Sequence, residues 1–295
     1  MSETPPSNGA RFGSEPQPAT TRLAASDWQS RTVLLLVVPA AAVYAAIQVL
    51  DVPSNRLLAA SALLSLLFAA LVYAVRAAGM AAALTGALLA FCYALTPAYP
   101  HSPLWPLAAM LVLTLGASRI GRRRKAAQYE AQGRAELHHG RSAAQVAANI
   151  GAGALAGALI NSQGMVLAHA ALLAALGEAA ADTLASELGQ LAAAPPRLLL
   201  TGQRVPPGTD GAVSIPGTLA GFAGAAAVAA CACWAFALPV WATALGAGGA
   251  LFGFLADTVL GQLLERRGWL RNDAVNFIST LFAMLFTVAL GRLHH

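Results

Sequence analysis

The apolar residues of this 295-residue chain fall in nine blocks of about twenty residues, the length of an α-helix that crosses a bilayer. Apolar residues make up 57% of the chain and charged residues only 11%, whereas soluble domains contain about 25% charged residues. The alternating polarity of β-barrel strands is absent. The sequence therefore predicts an all-α, polytopic transmembrane helical bundle. The predicted spans cover residues 32–50, 57–75, 79–96, 103–118, 143–161, 165–188, 215–237, 239–260 and 274–291.

The first residues of the chain have a different composition from the rest. Residues 1–28 are rich in Pro, Ser, Thr, Gly and Gln and contain too few apolar residues to build a core. We interpret them as a disordered N-terminal tail, since they are too long and too polar for the start of a signal peptide. The integral membrane domain is then expected to occupy residues 29–295.

The basic residues indicate the orientation of the chain in the membrane. With the N-terminus inside, only Arg56 and Arg292 of the 18 lysines and arginines fall outside, as the positive-inside rule requires. We therefore expect an N-in, C-out protein, in a bacterial cell inner membrane, with loops 119–142, 189–214 and 261–273 on the cytoplasmic side. The net charge of +5 sits beside the spans, so it does not indicate a nucleic-acid partner.

Two Ala-Asp-Thr triplets, centred on Asp182 and Asp257, each lie near the end of an apolar span. Ionisable groups are costly inside a membrane, so such carboxylates are functional candidates. Glu178 and Ser186 share a helix face with Asp182, and Glu187 follows directly. We predict that Ser186 and Glu187 bind substrate or nucleotide. We predict that Asp182, Asp257 and Glu178 bind Mg²⁺, which prefers oxygen ligands. The alternative is a set of polar helix ends in contact with interfacial water.

A loop rich in Pro and Gly, residues 195–221, separates the sixth and seventh spans. Gly lets a backbone approach a ligand closely, and a helix N-terminus presents free N–H groups that suit phosphate. Arg197 and Arg204 would add positive charge. The alternative is an ordinary connection between helices, and the Walker motif is absent. The loop residues that we predict to bind phosphate or nucleotide are Thr209, Asp210, Gly211 and Ser214.

The basic cluster in residues 119–125 supplies a further candidate, Lys125, for contact with substrate phosphate. Arg122 and Arg141 are candidates for the same contact. The alternative explains these charges by membrane orientation and by contact with anionic lipids.

Polar residues near the other spans complete the predicted site. Asn149 lies inside the fifth span, where its amide would be costly facing lipid. Asn272 and Asp273 begin the last span and are candidates for substrate binding, although either would also serve as an ordinary N-cap. Asn276 lies one turn deeper, where capping cannot explain it, and we assign it to the catalytic site with Asp182 and Asp257.

At these residues the chain resembles the integral-membrane "domain of unknown function ninety-two" family, which includes the plant and cyanobacterial phytyl-phosphate kinase of tocopherol synthesis. The resemblance extends in order over most of residues 57–291. The stretches that carry it are SRIGRRRKAA (118–127), GRSAAQVAANIG (140–151), ADTLASELG (181–189), PPRLLLTGQRVPPGTDGAVSIPGTLAG (195–221) and GFLADTVLGQLLERRGWLRNDAVNFIST (253–280).

The resemblance implies that the protein transfers a phosphoryl group from CTP or another nucleoside triphosphate to an isoprenyl monophosphate, with Mg²⁺ as the expected cofactor. The segment from Asp182 to Gly189 is also similar to CTP-using dolichol kinases and phosphatidate cytidylyltransferases. In those enzymes a Gly commonly precedes the Asp, whereas here the residue is Ala181 or Ala256. The expected partners are therefore membrane lipids, an isoprenyl phosphate and a nucleoside triphosphate.

Two other functions agree with the same residues. A cytidylyltransferase that makes a CDP-lipid would use the same acids and loop, and would release pyrophosphate instead of a nucleoside diphosphate. A lipid or small-molecule transporter is the third hypothesis, because two similar polar half-sites resemble the repeats of transporters. Transporter sites lie near the middle of the bilayer, whereas these acids are predicted at one membrane face.

Overall fold

This computed structural model describes residues 19–51, 54–131 and 140–293, which form a bundle of α-helices. A two-stranded antiparallel ribbon pairs Arg197 with Val213. In chain order the elements are α1 (Ala19–Asp51), α2 (Asn55–Ala74), α3 (Met80–Leu95), α4 (Leu104–Arg119), α5 (Arg122–Ala131), α6 (Ala143–Leu155), α7 (Ile160–Gln163), α8 (Met165–Gly189), β1 (Arg197–Leu198), β2 (Ala212–Val213), α9 (Ile215–Phe236), α10 (Val240–Leu260) and α11 (Asn272–Leu293).

The apolar helices agree with the predicted spans, and the prediction of an all-α polytopic membrane bundle is confirmed. Seven helical segments within the described ranges are long and apolar enough to cross a membrane. Two more, α3 and α4, are apolar but shorter. The seven segments are Trp28–Asp51, Asn55–Ala74, Ala143–Gln163, Met165–Gly189, Ile215–Phe236, Val240–Glu265 and Asn272–Leu293.

The structure differs from the predicted pattern at several element boundaries. Helix α1 begins at Ala19, before the predicted end of the N-terminal tail, and residues 1–18 of that tail lie outside the described residues. The fifth span continues beyond α6 through a 3-10 turn, Ala156–Leu159, into α7. A π-helical turn, Gly261–Glu265, extends α10, and the basic loop contains helix α5.

Helix α8 forms the centre of the bundle, with α4, α6, α9, α10 and α11 packed around it. Its sequence is rich in alanine, so neighbouring helices approach it closely on every side. Between Leu167 and Leu184 every residue is buried except Asp182. The helix that carries the first Ala-Asp-Thr triplet is therefore the most enclosed element of the bundle, and it opens at the aspartate.

Glycines on the neighbouring helices bring their backbones against α8. In α9, a Cβ added at Gly217 would lie 2.7 Å from the carbonyl oxygen of Ala185. A Cβ added at Gly221 would lie 2.9 Å from that of Ala181. In α10, a Cβ added at Gly246 would lie 2.7 Å from the carbonyl oxygen of Ala170. Small residues thus allow helix contacts that larger side chains would prevent.

The loops predicted to share the cytoplasmic side lie at one end of the bundle. The backbone N–H of Arg141, before α6, donates to Ala77 O between α2 and α3 at 2.9 Å. The N–H of Arg271, before α11, donates to Gln29 Oε1 of α1 at 2.8 Å. At the opposite end, Arg292 Nε donates to Gln163 Oε1 at 2.7 Å. Asp182 and Asp257 lie toward the end of the bundle that carries the loops predicted to be cytoplasmic.

The tight contact of α10 with α11 predicts different effects for two adjacent glycines. A Cβ at Gly249 would collide with Thr287 Oγ1 and lie 2.9 Å from Ala283 O, whereas a Cβ at Gly248 would meet nothing within 4 Å. We expect Gly249→Ala to destabilise the bundle by about 1–3 kcal/mol, the typical cost of overpacking. Thermal unfolding in detergent measures this, with Gly248→Ala as the matched control. Equal unfolding temperatures for the two variants would contradict the described packing.

Candidate functional site

Asp182 and Asp257, which are far apart in sequence, lie side by side in the structure. Asp182 is on the last turns of α8 and Asp257 near the end of α10, and their carboxyl groups are within hydrogen-bonding reach of each other. Ser279 of α11 donates to Asp257 Oδ2 at 3.1 Å. Three helices thus converge on this pair. Two carboxylates so close repel each other, and a shared proton or a cation between them would relieve that repulsion.

Glu178 lies one helical turn deeper, beneath the pair. It is 1% exposed, and its Oε1 has no hydrogen-bond partner among the described residues. Its Cγ packs at the position where Gly253 of α10 lacks a side chain. A buried carboxylate oxygen without a partner is costly, so this oxygen is an acceptor for a proton or a cation.

The predicted trio of metal ligands is brought together, but it does not form a complete metal site. Among residues 19–51, 54–131 and 140–293, no three His, Cys, Asp or Glu side chains have the arrangement needed to hold a metal ion. The chemistry of the pair Asp182 and Asp257 nevertheless fits Mg²⁺. This ion usually takes one or two protein carboxylates and completes its shell with water and substrate phosphate.

The pair opens into a polar cavity of about 440 Å³ at the end of the bundle. The walls are the ends of α8 and α10, the loop before α9 and the first turns of α6, α9 and α11. Nine of the predicted site residues line it: Asp182, Ser186, Glu187, Thr209, Asp210, Gly211, Ser214, Asp257 and Asn272.

The helix ends around this cavity separate into two types. Helices α6, α9 and α11 begin here and contribute Gln145, the N-cap Ser214 and Asn272 to the wall. Helix N-termini attract anions. Helices α8 and α10 end here, and helix C-termini attract cations. The aspartates stand on the two helices that end. The cavity can therefore bind phosphate on one side and a cation on the other.

Backbone contacts at Gly211 fix the Pro/Gly loop against the end of α10. Gly211 has φ +68°, a conformation that favours glycine, and a Cβ there would collide with Gln262 in the π-helical turn. Gln262 Oε1 accepts from Leu200 N at 3.1 Å on the other branch of the loop. Ser214 caps α9 by accepting from Gly217 N at 3.2 Å. The loop thus forms a defined wall of the cavity.

Lys125 has a different environment from the one predicted. It is 5% exposed, forms a short ion pair with Glu187, and donates to the carbonyl oxygens of Ala117 and Ser118. Ser118 Oγ donates to the other Glu187 oxygen at 2.9 Å. Lys125 is absent from the cavity wall, so we assign it to fixing α5 against α8 and to orienting Glu187.

The two arginines predicted in the loop also lie away from the cavity. Arg197 and Arg204 are exposed, and Arg197 Nη1 donates to Gly202 O at 3.1 Å. Arg141 does not line the cavity either, but it lies within electrostatic range of Asp182 and Glu187. It is half-buried beside the site: burial lowers the pKa of its guanidinium, and the carboxylates of Glu187 and Asp182 raise it. Arginine stays protonated in proteins, so Arg141 supplies positive charge near the aspartates.

Three predicted residues do not line the cavity but connect the helices that form it: Asn276, Asn149 and Asp273. Asn276 Nδ2 donates to Asn149 Oδ1 at 3.2 Å, and Asn149 Nδ2 donates to Gln145 O at 2.7 Å. Asp273 Oδ2 accepts from Ser30 Oγ at 2.6 Å. These bonds join α11 to α6 and to α1. The structure thus shows Asn276 as a connection between helices, and its predicted catalytic role stays a prediction.

Other residues on the cavity wall were not predicted. Glu265 lies in the π-helical turn and Gln145 in the first turn of α6, and Gln190, Thr218 and Phe254 are also among the lining residues. The sequence offered a signal for two of them. Gln145 follows Ser142 at the spacing of a capping box, and Glu265 follows the second triplet in a polar segment.

The fold and this cavity define a multi-pass membrane protein with a carboxylate-bearing polar site at one end of its helix bundle. The model of the family "Integral membrane protein DUF92" matches residues 63–284, most of the chain. The chain belongs to this family. All the residues that line the polar cavity lie within the matched region.

Three relatives show how far the similarity extends. An uncharacterized membrane protein of Methanocaldococcus jannaschii is 40% identical over 109 residues, 37% of this chain and 45% of the relative. An uncharacterized membrane protein of Synechocystis is 36% identical over 117 residues, which are 37% of this chain and 43% of the relative. Protein VTE6, chloroplastic, of Arabidopsis thaliana is 26% identical over 204 residues, which are 66% of this chain and 60% of the relative. The chain thus matches less than two thirds of the length of each. No solved structure matches it significantly.

The buried ion pair predicts that Lys125 and Glu187 depend on each other. We expect Lys125→Met to lower the free energy of unfolding by about 1–3 kcal/mol, because Glu187 is left charged and only 27% exposed. The double variant Lys125→Met/Glu187→Gln should recover part of that loss. Thermal unfolding of the single and double variants measures the coupling. The exposed Arg123→Met, on the same helix, is the control and should change little. Additive effects of the two substitutions would exclude a direct pair.

Proposed function

We propose that this protein is a kinase that phosphorylates an isoprenyl monophosphate to the diphosphate, using CTP or another nucleoside triphosphate. The observation that carries the proposal is the convergence of Asp182 and Asp257 beside three helix N-termini in one polar cavity. Family membership supports the same reaction class, because the family includes a phytyl-phosphate kinase. The 440 Å³ cavity has a volume in the usual range for small-molecule sites.

The proposed reaction needs positioning and charge more than acid–base chemistry. An oxygen of the lipid monophosphate attacks the γ-phosphorus of the nucleotide. The bond between that phosphorus and the β–γ bridging oxygen breaks, and the nucleoside diphosphate leaves with the electron pair. Because the attacking phosphate is already anionic, no residue has to remove a proton from it.

Each side of the cavity would have a separate task. Asp182 and Asp257 would hold Mg²⁺, which when bound supplies positive charge against the nucleotide phosphates. Ser214 and the first N–H groups of α9 would bind phosphate oxygens, together with Thr209 and the backbone at Gly211. Arg141 would neutralise the lipid phosphate. Ser279 holds Asp257 in position by a hydrogen bond of 3.1 Å.

A cytidylyltransferase would use the same groups, so the products must separate the two reactions. The kinase releases a nucleoside diphosphate, whereas the cytidylyltransferase releases pyrophosphate and a CDP-lipid. The location of the aspartates disfavours transport, because both lie in the C-terminal halves of α8 and α10, toward the loop end of the bundle, whereas transporter sites lie near the bilayer midplane. We further propose that the cavity faces the cytoplasm of a bacterial cell, because the basic loops lie at that end.

The aspartate pair predicts a large loss of turnover in either single variant. We expect Asp182→Asn and Asp257→Asn each to lower kcat at least about 100-fold, since each removes charge that holds the cation at the transferred phosphoryl group. The assay combines purified protein, Mg²⁺, CTP or ATP, and phytyl, geranylgeranyl or farnesyl phosphate. It measures nucleoside diphosphate, pyrophosphate and lipid diphosphate separately.

The control for this assay is Asp51→Asn, an exposed aspartate at the end of α1, which should keep the activity. Chelation of Mg²⁺ should abolish turnover, and added Mg²⁺ should restore it. Lipid diphosphate formation at wild-type rates in both aspartate variants would exclude the proposed site. Release of pyrophosphate with a CDP-lipid would replace the kinase by the cytidylyltransferase.

A further inference from the structure

A second cavity lies beside the polar one and is almost entirely apolar. It has a volume of about 50 Å³ between α2, α3, α4 and α6. We call this cavity the apolar crevice. Its walls include the small residues Ala82, Ala83 and Gly86 of α3 and the larger Leu107 and Met110 of α4. With this volume, the crevice has room for only the first few carbon atoms of a single hydrocarbon chain.

Two polar residues, Arg141 and Asn149, also line the apolar crevice. Among the described residues, the Arg141 guanidinium has no hydrogen-bond or ion-pair partner, and the backbone of Arg141 is bonded to Ala77 at the loop end of the bundle. Within the described segments no carboxylate forms a direct ion pair with Arg141, and Asp182 and Glu187 act on it only at longer range. A half-buried cation in this position attracts an anionic group. The charged end of the crevice is thus the end nearest the polar cavity.

Helix α6 connects the two cavities. Gln145 lines the polar cavity, and Val146, Asn149 and Ile150, on the following turns, line the apolar crevice. Arg141 lies just before this helix, within electrostatic range of Asp182 and Glu187. A molecule with a phosphate at Arg141 and a chain along Val146 and Ile150 would occupy both spaces at once.

We propose that the apolar crevice binds the first part of the single hydrocarbon chain of a lipid monophosphate, and that Arg141 binds its phosphate at the entrance of the polar cavity. The proposal rests on the proposed function only in that the same lipid is the phosphoryl acceptor. Phe68, Leu111 and Leu115 on the rim are partly exposed, so the crevice borders the lipid-facing surface. The remainder of the chain extends there into the bilayer.

Gly86 provides the sharpest test, because it lines the crevice in the buried part of α3. A Cβ at Gly86 would lie 3.7 Å from Phe68 and from Val146, which is ordinary contact. Gly86→Ala is therefore the matched control, and Gly86→Leu fills the crevice. Binding of geranylgeranyl monophosphate to the full-length protein in nanodiscs, without nucleotide, is the readout.

We expect Gly86→Leu to raise the Kd at least about tenfold, since chain burial is lost, and Gly86→Ala to change it less than about twofold. Methyl phosphate has no chain to place in the crevice, so its Kd should be similar in both Gly86 variants. Arg141→Gln should raise the Kd of both ligands about tenfold, because the phosphate loses a charge-assisted contact. The exposed Arg204→Gln should change neither.

Different outcomes separate this proposal from the kinase. Unchanged binding in Gly86→Leu and Arg141→Gln, with turnover present, overturns the crevice assignment and leaves the kinase. The expected binding pattern without any turnover supports the crevice and excludes the kinase. Phosphatidic acid that binds as tightly as the single-chain lipid overturns the assignment to a single chain.

A measurement on the unmodified sequence remains decisive if Gly86→Leu does not fold. A lipid monophosphate with a diazirine near the start of its chain should crosslink to peptides that contain residues 68–86, 107–115 or 146–150. Crosslinks confined to other helices would overturn the proposal. An excess of unmodified geranylgeranyl monophosphate should prevent the crosslink at these peptides.

Discussion

The geometry of the bundle depends on the close approach of α9 and α10 to the central helix α8. That approach is possible because glycines face the α8 backbone. A Cβ added at Gly217 would lie 2.7 Å from the carbonyl oxygen of Ala185, and one added at Gly246 would lie 2.7 Å from that of Ala170. Larger side chains would move the helices apart and separate Asp182 from Asp257. In a bilayer, such van der Waals contact takes the part that the hydrophobic effect plays in water. The same packing that holds the bundle therefore builds the polar cavity.

Gathering acids inside an apolar bundle has a high cost in free energy, and the helix ends around them offset part of it. Helices α8 and α10 bring carboxylates to their C-termini, where a cation is favoured, and α6, α9 and α11 bring N-termini, where phosphate is favoured. Residues behind this arrangement keep it in place. Asn276 joins α11 to α6 through Asn149, and Lys125 holds Glu187 at the edge of the cavity. Arg141 lines the apolar crevice and lies within electrostatic range of Asp182 and Glu187 of the polar cavity.

The sequence predicts the spans and the aspartate pair because each depends on a local signal. Apolar blocks of bilayer length define the helices, and the repeated triplet identifies Asp182 and Asp257. The roles of Lys125, Asn276 and Arg197 depend on which distant segments become neighbours, and no local pattern encodes that. Lys125 meets Glu187 only after α5 folds against α8, and Arg197 is exposed because the β-ribbon turns it outward. Arg141 and Gln145 reach the site through the position of α6, which the spacing of residues does not specify.

The most direct measurement of the central claim is anomalous diffraction from crystals of the full chain grown with Mn²⁺ and a non-hydrolysable nucleoside triphosphate analogue. We expect one strong anomalous peak between Asp182 and Asp257, about 2.0–2.4 Å from an oxygen of each carboxylate, with nucleotide phosphate completing the shell. A peak bound by only one of the two aspartates, or nucleotide and Mn²⁺ bound at another place in the bundle, would contradict it.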